Sequence, residues 1–419
     1  MPDLTTAALA AQAPSTDNDT KYAVVILDGA SGEPVPQNGG LTSFEAARTP
    51  HLDALAVAGQ VGLVHNVPQG LEPSSNVACT SIVGYDPANR PIGRGALELA
   101  ALGVDLGEGQ VALRVNLVNV TPEGLMHSYS TDNITSADAH ALADELIAAL
   151  NLATSNTFRL YKGIGFRLYL VVSGHPELME ALLPAAHNIT DEPIADYPPT
   201  GPGAALIAEF EERAHAVLAA SPTNARRQAE GKLPATHVFV FWPGMRPEGM
   251  PDFASRYHKR AAMLSGVDLL NGIAQLTGIK RYSFTGVTDG PDNDYAAQGA
   301  GALRMLASND IAFIHVEAPD AEGHDGHIEG KRLAIEAIDR EIVSRLRDFA
   351  TRQPLRILAL PDHPTPVLSR RHSSDAVPFV MAGPGLAPNG ARRLTEREAA
   401  LTGLVVDPGW QLLTRLLSS

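Results

Sequence analysis

Three short apolar runs along the chain end in the same kind of residue. Tyr22-Ala-Val-Val-Ile-Leu leads into Asp28, Ile311-Ala-Phe-Ile-His-Val-Glu-Ala-Pro into Asp320, and Arg356-Ile-Leu-Ala-Leu-Pro into Asp362-His363. Runs of this length with little polar alternation predict strands buried on both faces of a parallel sheet. Helix-like stretches, residues 296–307 and 331–352, precede the second and third runs, which predicts crossover units. Open parallel sheets hold ligands beyond the carboxyl ends of their strands, so three carboxylates at three such ends form a candidate site. A fourth run, His237-Val-Phe-Val-Phe-Trp-Pro-Gly244, ends without an acid and reads as a further strand of the same core.

The middle of the chain has a different rhythm. Val111-Ala-Leu-Arg-Val-Asn-Leu-Val and Arg167-Leu-Tyr-Leu-Val-Val alternate, residues 137–152 and 204–220 are helix-like, and Pro198-Pro-Thr-Gly-Pro-Gly203 is a loop. The expected organisation is an α/β core domain over residues 21–110 and 236–419, interrupted by an α+β domain over residues 111–235. Residues 1–20 lack a basic start and a long apolar stretch, and read as a disordered tail rather than a signal peptide.

Composition narrows the function classes. A chain of 419 residues exceeds one ordinary core, in keeping with two domains. The net charge of −15, from 32 basic and 47 acidic residues, argues against non-specific nucleic-acid binding. It leaves room for a small anionic substrate held by local arginines or metal ions. No apolar run is long enough to cross a bilayer. Cys79 is the only cysteine, so no intramolecular disulfide forms, which fits a reducing cytoplasm.

The strand ends also supply imidazoles. Asp320 and His324 are four residues apart, Asp362 and His363 are adjacent, and His372 follows nine residues later. With Asp28 they make three aspartates and three histidines, a donor set suited to Mn²⁺, Zn²⁺ or a similar divalent ion. Two such ions can clamp the attacking and leaving oxygens of a phosphoryl displacement. Taken singly, each residue has a plainer reading as a turn or a helix cap. Their convergence on three strand ends favours the metal reading. His327 is a spare histidine, expected to face solvent.

Several segments carry a resemblance: Leu27-Asp-Gly29, Thr49-Pro-His-Leu-Asp53, Ser81-Ile-Val-Gly-Tyr-Asp-Pro87, Gly93-Arg-Gly95, Pro319-Asp-Ala-Glu-Gly-His-Asp-Gly326 and Pro361-Asp-His-Pro-Thr-Pro366. In order and content they resemble the alkaline-phosphatase superfamily, and within it the archaeal-type cofactor-independent phosphoglycerate mutases. The likeness runs from about Tyr22 to Leu413. It implies an alkaline-phosphatase-like, mostly parallel sheet with helices on both faces. It also implies two divalent metal ions, Mn²⁺ or Zn²⁺ with Mg²⁺ as a further candidate. One would be held by Asp28, Ser75, Asp362 and His363, the other by Asp320, His324 and His372. Ser75, in Pro73-Ser-Ser-Asn-Val-Ala-Cys79, matches the family's nucleophile, which takes the phosphoryl group from 3-phosphoglycerate and returns it to the 2-hydroxyl. The inserted domain would grip the small phosphorylated acid, through Arg114, Arg167, His187, Arg226 and Arg227, with Arg94 expected in the core domain, and would close to exclude water.

The chain also departs from that pattern. Asn76 and Cys79 stand where the family usually has aspartate and histidine, and Asn188 replaces another acid. Glu317 stands where a lysine is common, and Arg371 where an aspartate is usual. No expected metal ligand is lost, but acid–base capacity near the phosphoryl group is reduced. Two other outcomes are therefore carried forward. One is a phosphatase, or a phosphotransferase acting on another small hydroxyl compound in the manner suspected of homoserine-kinase-like relatives. The chain has no Walker-type phosphate loop for the latter. The other is a non-catalytic relative that binds metal or a phosphoester.

Overall fold

The structure, a computed structural model, describes residues 20–89, 93–246 and 250–418. The expected tail lies outside these apart from Thr20, which is buried. The chain forms two compact units, Met1–Pro91 with Gly249–Ser419, and Ile92–Glu248.

Among the described residues the strands are, in chain order, β1 (Lys21–Leu27), β2 (Gln60–Val64), β3 (Gln110–Val120), β4 (Met126–Ser128), β5 (Phe158–Lys162), β6 (Arg167–Ser173), β7 (His237–Met245), β8 (Ala261–Leu264), β9 (Lys280–Tyr282), β10 (Ile311–Val316), β11 (Leu355–Leu360), β12 (Val377–Ala382) and β13 (Val405–Val406). The first unit holds an eight-stranded sheet in the order β13-β2-β12-β11-β1-β10-β8-β9. Every neighbouring pair in it is parallel except the two made by β12. The fold is thus mixed α/β around a mostly parallel sheet, as the apolar runs predict.

Side-chain alternation divides this sheet between two cores. Ala23, Val25 and Leu27 of β1 join Ile314 and Ile357 against Met305 and Leu306 of the helix Tyr295–Ser308 and Ile335 and Ile338 of the helix Ile328–Ile338. On the opposite face Val24 and Ile26 are fully buried, and Phe313 meets Phe253 edge-on at 5.8 Å. Both faces are covered, which is why these strands read as near-continuous apolar runs. The expected helical stretch over residues 331–352 is present as an unbroken run, the helices Ile328–Ile338 and Ser344–Ala350 being joined by a π-helical turn. Asp339 starts that turn, and its carboxylate accepts the His51 and Leu52 amides at the start of the helix Pro50–Ala58.

The second unit is an antiparallel five-stranded sheet in the order β4-β3-β6-β5, with β7 on the other edge of β3. Val111, Leu113, Val115 and Leu117 face a core with Leu142 and Leu146 of the helix Ser136–Ala149 and Ile207 and Phe210 of the helix Ala204–Ala219. The fourth apolar run was expected in the first unit's core. It is β7, paired with β3 from Val111 to Val118. An apolar run specifies burial but not its partner, and Val238 and Val240 fill the second unit's core. The helix Arg94–Ala101 also belongs to this unit, carrying Arg94 there instead of into the first unit. Its approach to the sheet needs glycine: a Cβ on Gly95 would stand 2.5 Å from the Trp242 carbonyl oxygen and 2.6 Å from that of Ala112. No helix among the described residues is long and apolar enough to cross a membrane.

Candidate functional site

Strand register assembles the first cluster. β1 lies between β10 and β11, with Leu27 opposite Val316 and Ile26 opposite Leu360. Two steps of this ladder bring Asp28 level with Glu317 and Asp362. Asp28 and Asp362 are fully enclosed, and so is His363. The Asp362 carboxylate accepts the Gly29 amide at 3.0 Å and the His363 amide at 2.7 Å through Oδ1. Its Oδ2 lies 3.1 Å from His363 Nε2. Asp28, Asp362 and His363 each offer one donor atom, and the three atoms lie within 4.8 Å of one another.

The second cluster stands on a helix. Ala318–Asp325 carries Asp320 and His324 one turn apart on one face. Asp320 Oδ2 lies 3.3 Å from His324 Nε2, and Oδ1 lies 3.4 Å from His372 Nε2. The two imidazole Nε2 atoms are 2.8 Å apart. Their other nitrogens are oriented by carbonyl oxygens, Nδ1–H of His324 donating to Arg370 and that of His372 to Pro73. Such bonds fix the tautomer that leaves Nε2 free for a ligand. His363 packs against His372 with ring centroids 3.8 Å apart and links the clusters. His327 is exposed and bonds Glu322.

Ser75 sits where the clusters meet. It is the first residue of the helix Ser75–Ile82, and its Oγ is 3.2 Å from His363 Nε2. The start of a helix directs free N–H groups outward and favours an anion. One turn on, the buried Cys79 thiol faces Asp362 Oδ2 at 3.8 Å. Burial, then the carboxylates of Asp362 and Asp28, push this thiol well up, so it stays protonated and acts as a small buried residue.

The electrostatics are those of a cation site. Burial and the nearby carboxylates of Asp362 and Asp320 push the Asp28 carboxyl far above its usual range. Burial pushes Asp320 upward too, but hydrogen bonds from His324 and His372 outweigh it and hold that carboxyl well below its usual range. Burial draws the His363 imidazole down, favouring the neutral ring that a metal requires. Asp28 Oδ1 is buried with no hydrogen-bond partner. An uncompensated carboxylate oxygen of this kind is costly unless a cation meets it. The residues present therefore fit divalent metal ions.

Three residues here were not picked out from the sequence. His315, inside β10, lies across from Ile26 and so shares the sheet face of Asp28; its Nε2 is 2.7 Å from Asp28 Oδ2. Ser265, just beyond β8, meets the other imidazole nitrogen at 3.0 Å. Thr365 donates from Oγ1 to Asp320 Oδ1 at 2.5 Å. The available signal for His315 was its odd-numbered place in the run, in step with Phe313 and Glu317.

In the second unit, Arg114 projects from the face of β3 opposite the core. It is buried and donates from Nη1 to Glu98 Oε2 at 2.6 Å and from Nε to Asn116 at 3.1 Å. Arg94 Nε donates to the other Glu98 oxygen at 2.8 Å, and its guanidinium lies 4.1 Å from the Trp242 ring centroid. His187 packs against Trp242, Phe241 and Tyr129. Burial, then Arg94 and Arg114, hold this imidazole below its ordinary pKa, so it is neutral near pH 7. Arg167 lies over Phe166, and its Nε is buried without a partner. Arg226 and Arg227 are engaged differently. Both bond Asp138, and buried Arg227 also donates twice to the Leu233 carbonyl, so this pair braces the unit's helices.

The chain is similar to known proteins over most of its length. The family model described as 2,3-bisphosphoglycerate-independent phosphoglycerate mutase matches residues 56–224. A probable enzyme of that name from Geobacter sulfurreducens is 36% identical over 405 residues, 95% of this chain and 99% of its own. The Methanosarcina mazei enzyme of that name is 39% identical over 363 residues, 86% of this chain and 90% of its own. Among solved structures, a Pyrococcus horikoshii protein superposes with a TM-score of 0.79 at 28% identity, covering 95% of this chain and 97% of its own. The cofactor-independent phosphoglycerate mutase of Thermoplasma acidophilum shares the fold, with a TM-score of 0.66 at 23% identity over 95% of this chain and all of its own. With relatives this similar over nearly their full length, the chain belongs to the 2,3-bisphosphoglycerate-independent phosphoglycerate mutase family.

Proposed function

We propose that this protein interconverts 3-phosphoglycerate and 2-phosphoglycerate through a phosphoserine at Ser75, without bisphosphoglycerate. The observation that carries the proposal is the position of Ser75 Oγ, at a helix start and 3.2 Å from the imidazole that joins two carboxylate–histidine clusters. Asp28, Ser75, Asp362 and His363 would hold one divalent ion, and Asp320, His324 and His372 the other. The donor set suits Mn²⁺ or Zn²⁺, with Mg²⁺ as a further candidate. Such ions supply positive charge that favours the serine alkoxide and the crowded phosphoryl oxygens.

The chain's own residues account for the rest. A bond forms between Ser75 Oγ, which gives up its proton, and phosphorus as the bond to the 3-oxygen of glycerate breaks, and that oxygen takes up a proton. In the second half the 2-hydroxyl loses a proton, its oxygen takes the phosphoryl group, and the displaced Ser75 Oγ is protonated again. Backbone N–H groups at the helix start face the transferred group. Thr365 holds Asp320, and the Gly29 amide holds Asp362, so the carboxylates keep their aim. Arg94, Arg114, Arg167 and His187 are the second unit's candidates for binding the anionic groups of a phosphorylated acid. The unpartnered Arg167 nitrogen supports that assignment. Arg226 and Arg227, expected in the same role, are tied to Asp138.

The test is a coupled assay for 2-phosphoglycerate formation from 3-phosphoglycerate, with Mn²⁺ and no bisphosphoglycerate. Turnover that falls on the order of 10³-fold or more in Ser75→Ala, together with loss of a labelled phosphoenzyme, is the expected result. Release of inorganic phosphate as the sole product, or no turnover by Mn²⁺-loaded protein, would reject it.

A further inference from the structure

We infer that Trp242 is the positioning residue of the second unit's arginine cluster, holding the Arg94 guanidinium ready for an anionic group of the substrate. The inference rests on the proposed function only for the identity of that anion. β7 carries one extra residue against β3. Ala112 is level with Gly244 and Arg114 with Phe241, so Leu113 stands opposite both Trp242 and Pro243. A bulge of this kind re-aims a side chain. Trp242 adopts φ +53° in it, a left-handed backbone where glycine is the ordinary occupant and a bulky residue is an outlier. The indole is only half-buried, so burial alone does not account for a tryptophan at that position.

Two sets of contacts connect the bulge to the arginines. It is the seat of the Gly93-Arg94-Gly95 turn. A Cβ on Gly93 would stand 2.3 Å from the Pro243 carbonyl oxygen, and one on Gly244 would stand 2.7 Å from that of Gly93. The two backbones are in contact, so the bulge sets where Arg94 starts. The indole then sets where Arg94 ends. The Arg94 guanidinium lies over the ring at 4.1 Å from its centroid, that of Arg114 is 5.7 Å away, and the His187 ring is 5.2 Å away on centroids. Glu98 takes Nε of Arg94, and among the described residues no hydrogen bond engages its Nη nitrogens. Held by a carboxylate on one edge and by a π face, the guanidinium keeps its Nη pair for a phosphate or carboxylate group. Glu98 is one carboxylate shared by Arg94 and Arg114, so this trio retains positive charge for such an anion.

The experiment uses the full, Mn²⁺-loaded chain. Its two tryptophans are Trp242 and Trp410, so in Trp410→Phe the indole emission comes from Trp242 alone. Titration of that protein with 3-phosphoglycerate should change the emission saturably. In Trp242→Gly the KM for 3-phosphoglycerate should rise roughly 5–30-fold, the size of one cation–π contact, with a smaller change in kcat. Trp242→Phe keeps the left-handed backbone and an aromatic face, and should recover most of that loss. Unchanged emission, an unchanged KM in Trp242→Gly, or a Trp242→Phe protein as impaired as Trp242→Gly overturns the inference. If Trp242→Gly does not fold, Trp242→Leu, which keeps bulk without a π face, takes its place and should show the same rise in KM. A saturable emission change without turnover by the natural protein would reject the proposed function and still support an anion site at Trp242. Turnover with KM insensitive to the ring would reject the present inference alone, so the two failures are distinguishable.

Discussion

Replacing Gly29 with alanine perturbs the site at its tightest point. Gly29 has φ +60°, in the left-handed region, and an added Cβ would stand 2.3 Å from Asp320 Oδ1, 2.6 Å from Thr365 Oγ1 and 2.8 Å from the Asp320 Cα. Left-handed backbone costs an L-residue about 1–2 kcal/mol. Contacts this short, one of them to backbone, force a shift of the Asp320 helix, and overpacking of that kind costs about 1–3 kcal/mol. The sum is about 2–5 kcal/mol, a fall in Tm of roughly 4–20 °C for a unit of this size. Gly39 supplies the control, because it has φ +70° and an added Cβ there would meet nothing within 4 Å. Gly39→Ala should therefore carry only the backbone cost of about 1–2 kcal/mol and leave turnover unchanged. Thermal melts of both variants, with Mn²⁺ content and mutase activity, make the comparison. If Gly29→Ala melts no lower than Gly39→Ala and keeps full turnover, crowding between Gly29 and Asp320 does not shape the site.

Three further outcomes are expected. Glu98→Ala leaves buried Arg114 without its charge partner and should destabilise the protein by about 3–5 kcal/mol in urea unfolding, whereas Glu98→Gln should lose less because an acceptor remains. Glu211 accepts the Val240 amide, and burial raises its pKa from 4.5 to about 8. Between those values the folded state binds more protons than the unfolded one, so stability falls as pH rises; Glu211→Gln should flatten that slope, by up to about 1.4 kcal/mol per pH unit in melts from pH 5 to 8. Chelation should abolish turnover and lower Tm, and Mn²⁺ at one hundred times its Kd should restore about 2.7 kcal/mol for each independent site.

The sequence by itself determined most of the elements and most of the candidate ligands. Strands β1, β10 and β11 are buried on both faces, so their apolar runs were legible without a partner, and an acid just past each run could only lie at the sheet's edge. Asp320 and His324 were legible as a pair because four residues make one helical turn. Tertiary structure alone decided which runs pair. β7 is as apolar as β1, and only its pairing with β3 put it in the second unit. The role of His315 depended on strand register, because a shift of one residue would turn it to the opposite face, away from Asp28. Arg226 and Arg227 carried the same charge as Arg114 in the sequence, and only the tertiary structure showed that the pair bonds Asp138 whereas Arg114 bonds Glu98. Composition and periodicity act within one segment, whereas pairing, register and charge neutralisation are set between segments far apart in the chain.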